Sequence, residues 1–174
     1  MQALLWLLSR FAAIAFLRAG PQDLPAGRSL IPVSLTLYLV VDLVQAMPRF
    51  DVPHRIMIAV LDALLLAAFV QLLLRSMRRA ARLPQTLGAL YGAGAFIGLF
   101  GVPLAWQLEA VDPVSGTLPA GVMLLLFVYL GWNLVVMAHV LRHALDRGLG
   151  TGLAISLLYF LLAQLIMGAV FAGV

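Results

Sequence analysis

The chain has 174 residues, of which 64% are hydrophobic and only 10% are charged, and its mean hydropathy is +1.08. A soluble domain is about half apolar and about a quarter charged, so this composition excludes a water-soluble globule. The apolar residues come in long blocks, which predicts a multi-span membrane protein. The net charge of +4 comes from 11 basic residues, all of them arginines between the blocks, which favours a role in membrane orientation over nucleic-acid binding.

The N-terminal segment MQALLWLLSRFAAIAFLR is apolar but lacks the features of a cleaved signal peptide. No basic residue precedes its apolar run, Arg10 interrupts that run, and no clear small-residue cleavage site follows. Gln2, Ser9 and Arg10 share one side of a helix, so we expect an amphipathic helix that lies along the membrane interface. The segment GPQDLPAG then breaks the helix, and residues 1–27 form an interfacial helix and linker ahead of the membrane domain.

Five apolar blocks predict an all-α, polytopic membrane domain of five transmembrane helices over residues 28–174. Each block is close to the ~20 residues that cross a hydrocarbon core. The blocks cover residues 30–46, 56–74, 87–107, 118–141 and 150–174. The first is short and contains Asp42, so the alternative is a re-entrant segment, which would leave four spans and put both termini on the same side.

We expect a bacterial inner-membrane protein, and the arginines predict a cytoplasmic N-terminus and a C-terminus outside. In that orientation only Arg49 and Arg55, among the 11 arginines, lie outside. Four arginines surround the inside loop between the second and third spans, namely Arg75, Arg78, Arg79 and Arg82. We expect them to anchor the topology; the alternative is that they bind anionic lipid headgroups or an acidic partner segment.

Asp42 and Asp62 are carboxylates within the first two spans, and antiparallel packing of these spans would bring them to a similar depth near the outer leaflet. An acid within a span costs several kcal/mol unless it is paired or hydrated. One interpretation is a cation or proton site, in which Asp62, the deeper residue, titrates. The interpretation that we favour is structural and pairs the two acids with Arg49 and Arg55, whose long side chains can reach along helix ends, with Gln45 as a further candidate partner.

Other intramembrane residues are suited to helix packing. We expect three amides to hydrogen-bond helix to helix, or alternatively to line a polar pathway, namely Gln71, Asn133 and Gln164. The third span has small residues at the four-residue spacing that lets helix backbones approach closely, namely Gly88 with Gly92 and Gly94 with Gly98. This helix is therefore predicted to be central, or to contact an oligomer partner.

The segment HVLRHALDRG, at the end of the fourth span, puts His139, His143 and Asp146 on nearly one helix face. Two histidines and a carboxylate at these spacings could hold zinc. We favour a charged helix end that Gly148 and Gly150 terminate, because the inside segments offer no further ligand. The chain has no cysteine, nucleophile–base arrangement or nucleotide motif, so we expect neither enzymatic activity nor a bound cofactor.

The chain resembles the Yip (Ypt-interacting protein) family in its small bacterial form. The features that carry the resemblance are five spans, an inside N-terminus, an outside C-terminus, very short loops and the segment GPQDLP entering the first span. The resemblance covers about residues 28–174 and implies a membrane organiser or trafficking partner without a catalytic site. The DLYGP-type segment and the long cytoplasmic N-terminal region of the eukaryotic members have no counterpart in this sequence. The resemblance therefore assigns no functional residue.

These observations predict a non-enzymatic accessory or scaffold subunit, surrounded by membrane lipids and bound to another integral membrane protein or to copies of itself, with no nucleic-acid partner. One alternative is a small transporter or an ion- or proton-conducting protein that uses Asp42 and Asp62. An odd number of spans without an internal repeat argues against the two-fold architecture common in transporters. A further alternative is a lipid-modifying membrane enzyme built on His139, His143 and Asp146.

Overall fold

The computed structural model describes residues 2–25, 27, 29–110 and 118–172, which form an all-α fold. The described part of the chain contains six α-helices: α1 (Gln2–Ala15), α2 (Leu30–Gln45), α3 (Val52–Ser76), α4 (Leu83–Glu109), α5 (Ala120–Leu145) and α6 (Leu149–Val170). Single turns of 3-10 helix at Pro21–Asp23 and Ala80–Arg82 precede α2 and α4. The prediction of the membrane orientation also used Arg28 and Val174, and these two residues lie outside the described residues.

Four of the described helices, α3 to α6, are long and apolar enough to cross a membrane, by length and composition. The helices α1 and α2 are also apolar, but with 14 and 16 residues they are shorter than the ~20 residues of a typical span. The prediction of an all-α chain rich in helices of membrane-spanning length is confirmed. The helix α3 begins at Val52 rather than at residue 56, and α4 at Leu83 rather than at residue 87.

Local hydrogen bonds explain where the helices begin and end. The carboxylate of Asp51 accepts the backbone N–H of His54 at 3.2 Å and so starts α3 a full turn before the apolar block. The helix α5 ends at Leu145, and its C-cap residue Asp146 has a left-handed φ of 50°, after which the N–H of Arg147 bonds to the carbonyl of Arg142 at 3.0 Å. The prediction that Gly148 and Gly150 end this helix is therefore wrong, because Gly148 caps the start of α6.

The helix α4 is the centre of the fold. Of its 27 residues, 13 are buried, including every position from Thr86 to Ala93, so it is covered on all sides there. By contrast only two of the 22 residues of α6 are buried, so α6 is peripheral. The contacts between α2 and α4 run in the same direction along both helices, from Leu30 beside Gly88 to Gln45 beside Gly101. The two helices are therefore parallel.

The glycines of α4 permit this close packing. A Cβ atom added at Gly88 would lie 2.6 Å from the side chain of Leu30, and one added at Gly94 would lie 2.8 Å from the ring of Tyr38. At Gly98 the nearest atom is a methyl of Val41, at 2.6 Å. Because any larger residue would push the partner away, these glycines set the distance between α2 and α4.

The N-terminal helix α1 packs on α4 and α5 through its C-terminal half. Phe11, Ile14 and Ala15 are buried, and the ring of Phe11 occupies the space over Gly92. The indole N–H of Trp132, in the middle of α5, donates to the carbonyl of Ala15 at 2.8 Å. The end of α1 is therefore held level with the middle of α5, and a side chain satisfies one of its free carbonyls.

Gly152 provides a test of glycine-mediated packing between α5 and α6. A Cβ atom at this position would collide with the backbone carbonyl oxygen of Ala138, which cannot move aside as a side chain can. We expect Gly152→Ala to lower the free energy of unfolding by about 1–3 kcal/mol, as overpacking does. The measurement is thermal unfolding of the purified protein in mild detergent.

The matched control is Gly131→Ala in α5, where nothing lies within 4 Å of the added Cβ atom. This change should leave stability unchanged or raise it by up to about 1 kcal/mol, because alanine is the better helix former. Equal stability changes in the two variants would contradict the close approach of α5 and α6 at Gly152.

Candidate functional site

A cavity of about 240 Å³ lies among helices α2 to α6, and all five of these helices line it. Its walls are partly apolar, with leucine, isoleucine, valine and methionine side chains. Seven polar residues also line it, namely Tyr38, Asp42, Gln45, Tyr129, Asn133, Ser156 and Tyr159. Such a concentration of polar groups is unusual between helices of this apolarity, and it makes the cavity the candidate site.

Asp62 is joined to this cavity through Tyr38. The hydroxyl of Tyr38 donates to the Oδ2 atom of Asp62 at 2.5 Å, across the α2–α3 interface. The neighbouring residue, Ala63, accepts the hydroxyl hydrogen of Tyr91 through its carbonyl at 2.7 Å. Asp62 therefore lies at the level of Tyr91, in the middle part of the bundle, because α3 begins earlier than the apolar block indicated.

Asp42 is the second carboxylate at the site, and it lines the cavity directly. It lies four residues after Tyr38, so the two side chains project from the same face of α2. Tyr38 thus stands between the two acids, bonded to Asp62 and one helical turn from Asp42. The two predicted acids share one polar cluster, which extends further into the bundle than the sequence suggested.

The predicted pairing of these acids with Arg49 and Arg55 is wrong. Among the described residues, the ion pairs include neither Asp42 nor Asp62. The guanidinium of Arg55 donates instead to the carbonyl of Phe50 at 2.5 Å, and that of Arg49 lies 5.4 Å from the centre of the Phe50 ring. Arg49 is exposed in the loop after α2 and Arg55 is half-buried in the first turn of α3, and neither forms an ion pair with Asp42 or Asp62.

The wall that α5 supplies is held by hydrogen bonds within and between helices. The hydroxyl of Tyr129 donates to the Oε1 atom of Gln45 at 3.3 Å, and the side-chain N–H of Asn133 donates to the carbonyl of Tyr129 at 2.9 Å. The Asn133 donor is therefore used within its own helix, while its side chain still borders the cavity. The amide was predicted to link helices or to line a polar path, and its position at the cavity favours the second use.

The wall that α6 supplies contains an unsatisfied group. The hydroxyl of Tyr159 is buried and has no hydrogen-bond partner among the described residues. Its ring packs on Phe69 with the ring centres 5.1 Å apart, which fixes its direction. Ser156, one turn earlier, is fully buried and donates to the carbonyl of Gly152 at 2.9 Å. A buried hydroxyl without a partner costs about 1–3 kcal/mol, so Tyr159 marks a place where a ligand or water would bind.

The other two predicted amides lie away from the cavity. With the amide of Gln71 in the orientation that satisfies both its oxygen and its nitrogen, the oxygen accepts from the guanidinium of Arg75 at 3.1 and 3.2 Å. These residues are four apart on α3, so Gln71 serves its own helix. Gln164 is exposed on the outer surface of α6.

The structure does not assemble the predicted metal candidate, because His139 and His143 lie side by side while Asp146 pairs with Arg79 and Arg82. His139 is only 5% exposed, and its Nε2 atom donates to the carbonyl of Ala19 at 2.9 Å. The ring of His143 lies edge-on to that of His139, with centres 4.7 Å apart. Among the described residues no group of three or more histidine, cysteine, aspartate or glutamate side chains could hold a metal ion. His139 thus holds the linker after α1 and does not belong to a water-exposed helix end.

Asp146 and the loop arginines form a separate polar cluster at the other end of the bundle. Arg79 and Arg82 both pair with Asp146, the latter at 2.9 Å, and Arg82 also donates at 3.0 Å to the carbonyls of His143 and Ala144. Hydrogen bonds from Arg82 and Arg79 lower the pKa of Asp146 from 3.8 to about 2. These two predicted headgroup arginines therefore join the α3–α4 loop to the end of α5, while Arg75 and Arg78 remain exposed.

Four members of the candidate site were absent from the sequence-based prediction: Tyr38, Tyr129, Ser156 and Tyr159. A signal for two of them is visible in the spacing, because Tyr38 precedes Asp42 by four residues and Tyr129 precedes Asn133 by four residues. A tyrosine one turn from an intramembrane polar residue shares its face. Comparisons of the chain with protein families, with curated proteins and with solved structures find no match.

Proposed function

We propose that this chain is a multi-pass membrane protein that binds a cation in the cavity beside Asp42, as the substrate site of a small transporter or ion-conducting protein. The observation that carries the proposal is the pair of half-buried carboxylates, Asp42 and Asp62, around one tyrosine and without a described arginine partner. Buried charges are normally paired, and a cation in the cavity would supply the missing charge.

The donor set favours particular cations. Carboxylate, hydroxyl and amide oxygens surround the cavity, and oxygen ligands suit hard cations rather than zinc or copper. Divalent ions usually take several carboxylates, and among the described residues no group of three or more acidic, histidine or cysteine side chains could hold a metal ion, so we favour protons, alkali ions and ammonium groups. The hydrogen bond from Tyr38 satisfies one oxygen of Asp62 and leaves Asp42 as the carboxylate that faces the cavity. Asp42 is therefore the direct ligand in this proposal, and Asp62 acts through Tyr38.

Reconstitution into liposomes tests the proposal. We expect the purified protein to move or bind at least one cation among H⁺, Na⁺, K⁺ and a simple ammonium ion. Asp42→Asn should weaken that activity about tenfold or more, since tenfold corresponds to only ~1.4 kcal/mol and an unpaired charge within a span costs more. The matched control is Glu109→Gln, which removes an exposed carboxylate at the end of α4. Equal activity of all three proteins, or none with any cation, would refute the proposal.

The proposed topology has five crossings, with α2 as the first. At 1.5 Å per residue the 16 residues of α2 span about 24 Å, somewhat less than a hydrocarbon core of ~30 Å. Its parallel packing on the longer α4 supports a crossing, because Leu30 and Gln45 lie beside α4 positions 13 residues apart, Gly88 and Gly101. The N-terminus, with α1 partly in the interface, and the arginine loop lie in the cytoplasm, in a bacterial inner membrane.

Single cysteines test this topology, since the natural chain has none. Met47→Cys, in the exposed loop after α2, should react with a membrane-impermeant maleimide in intact cells whose outer membrane admits the reagent. Ser76→Cys, at the exposed end of α3, should react only after the inner membrane is permeabilised. The reverse pattern would contradict the proposed orientation, because it would put the Met47 loop in the cytoplasm and the arginine loop outside.

A second candidate function is that of an accessory or scaffold subunit that binds another copy of itself. The outer part of α6 favours it, because from Leu161 to Val170 no residue is buried and the amide of Gln164 is exposed. An amide facing hydrocarbon lacks partners, and an amide on a second helix can both donate to it and accept from it. This is also the kind of role that the resemblance to small bacterial Yip proteins implies.

Cysteine crosslinking in native membranes tests the second candidate. Gln164→Cys should give a disulfide-linked dimer under mild oxidation, because the two copies would meet at this face of α6. Leu158→Cys is the matched control, since it is 52% exposed but lies on a different face of the same helix. Dimers from both positions, or from neither, would argue against assembly through Gln164.

A further inference from the structure

We propose that the ligand of the cavity is a small alkylammonium ion that carries at least one N–H group, rather than an alkali ion or a quaternary ammonium. The inference rests on the proposed function, because it names the class of cation that the same site takes. It follows from the size of the cavity, from the aromatic part of its wall and from the unpartnered hydroxyl of Tyr159.

The size of the cavity limits the ligand from both sides. Its volume of about 240 Å³ corresponds to roughly eight water molecules at ~30 Å³ each, so a bare alkali ion would leave most of it unfilled. Pockets for drug-sized molecules begin at ~300 Å³, so a ligand that the cavity encloses is smaller than that class. A cationic head with a short hydrocarbon chain fits between these limits.

The walls combine one carboxylate with aromatic rings and aliphatic side chains. Asp42 supplies a negative charge, and rings of Tyr38, Tyr129, Tyr159 and Phe160 border the same space. Aromatic faces attract ammonium groups, more strongly when the site is desolvated, and aliphatic side chains of α4 and α5 can cover the hydrocarbon chain. An alkali ion would use the carboxylate but would gain nothing from the apolar wall.

The hydroxyl of Tyr159 separates N–H cations from quaternary ones. It is buried without a partner among the described residues, and packing of its ring on Phe69 limits its movement. The hydroxyl oxygen can accept a hydrogen bond from an ammonium N–H, which removes the cost of leaving it unsatisfied. A tetramethylammonium ion has no N–H and would leave this oxygen as it is.

Calorimetric titration of the protein in lipid nanodiscs tests the inference with four probes: n-butylammonium, tetramethylammonium, Na⁺ and neutral n-butanol. We expect n-butylammonium to bind most tightly and n-butanol not to bind. Tyr159→Phe keeps the ring and should weaken n-butylammonium about tenfold, as expected for a lost hydrogen bond to a charged group. The same change should leave the affinity for tetramethylammonium unaltered, which a purely structural role of Tyr159 would not predict.

Two further variants make the outcomes distinct. Asp42→Asn should weaken both organic cations, and Glu109→Gln should weaken neither. Binding of Na⁺ without n-butylammonium would overturn the inference and leave the proposed function standing. An equal effect of Tyr159→Phe on both organic cations, or binding of n-butanol as tight as that of n-butylammonium, would also overturn it. Failure of every cation to bind would refute the proposed function as well.

Discussion

The close approach of α2 to α4, which glycine permits, is the contact on which the rest of the structure depends. Leu30, Tyr38 and Val41 sit directly over glycines of α4, so α2 is held against the central helix along nearly its whole length. Lipid offers no hydrophobic driving force for helix association, so packing and hydrogen bonds must hold the two helices together. Because the ring of Tyr38 is fixed over Gly94, its hydroxyl is aimed at Asp62 on α3.

The close packing of α2 on α4 also positions the polar residues of the cavity. The same face of α2 that carries Tyr38 also carries Asp42 and Gln45, and the other side of the cavity is completed by α5 and α6. Most polar groups there are used internally, as in the bonds of Tyr129 and Asn133. Two groups on which the proposal rests are the carboxylate of Asp42 and the hydroxyl of Tyr159, and they differ in what they need, since the first requires positive charge and the second a hydrogen-bond donor. The proposed N–H cation would meet both requirements at once.

The helices could be predicted from the sequence better than the contacts between them. Apolar block length identified α2 to α6, and the four-residue glycine spacing marked α4 as the helix that others approach. The errors came from short-range polar chemistry: Asp51 started α3 a turn early, and Asp146 ended α5 before the glycines did. The predicted pairing of the two aspartates with Arg49 and Arg55 was wrong because a long side chain can also bond to a nearer group. Arg55 donates to the carbonyl of Phe50. The tyrosines were missed because an aromatic residue in an apolar helix has no periodic signal unless its position relative to a polar neighbour is considered.

The two candidate functions meet at α6. This helix supplies Tyr159 and Ser156 to the cavity through its first half, where Gly152 brings it against α5, but its second half has no buried residue. Gln164 lies five residues beyond Tyr159, or about 7–8 Å along the helix axis. A second copy bound at Gln164 would therefore restrict the movement of the helix that carries Tyr159 without contacting the cavity. Self-assembly and cation binding are thus not competing interpretations of the same residues, because the first uses the outer surface of α6 and the second its inner surface.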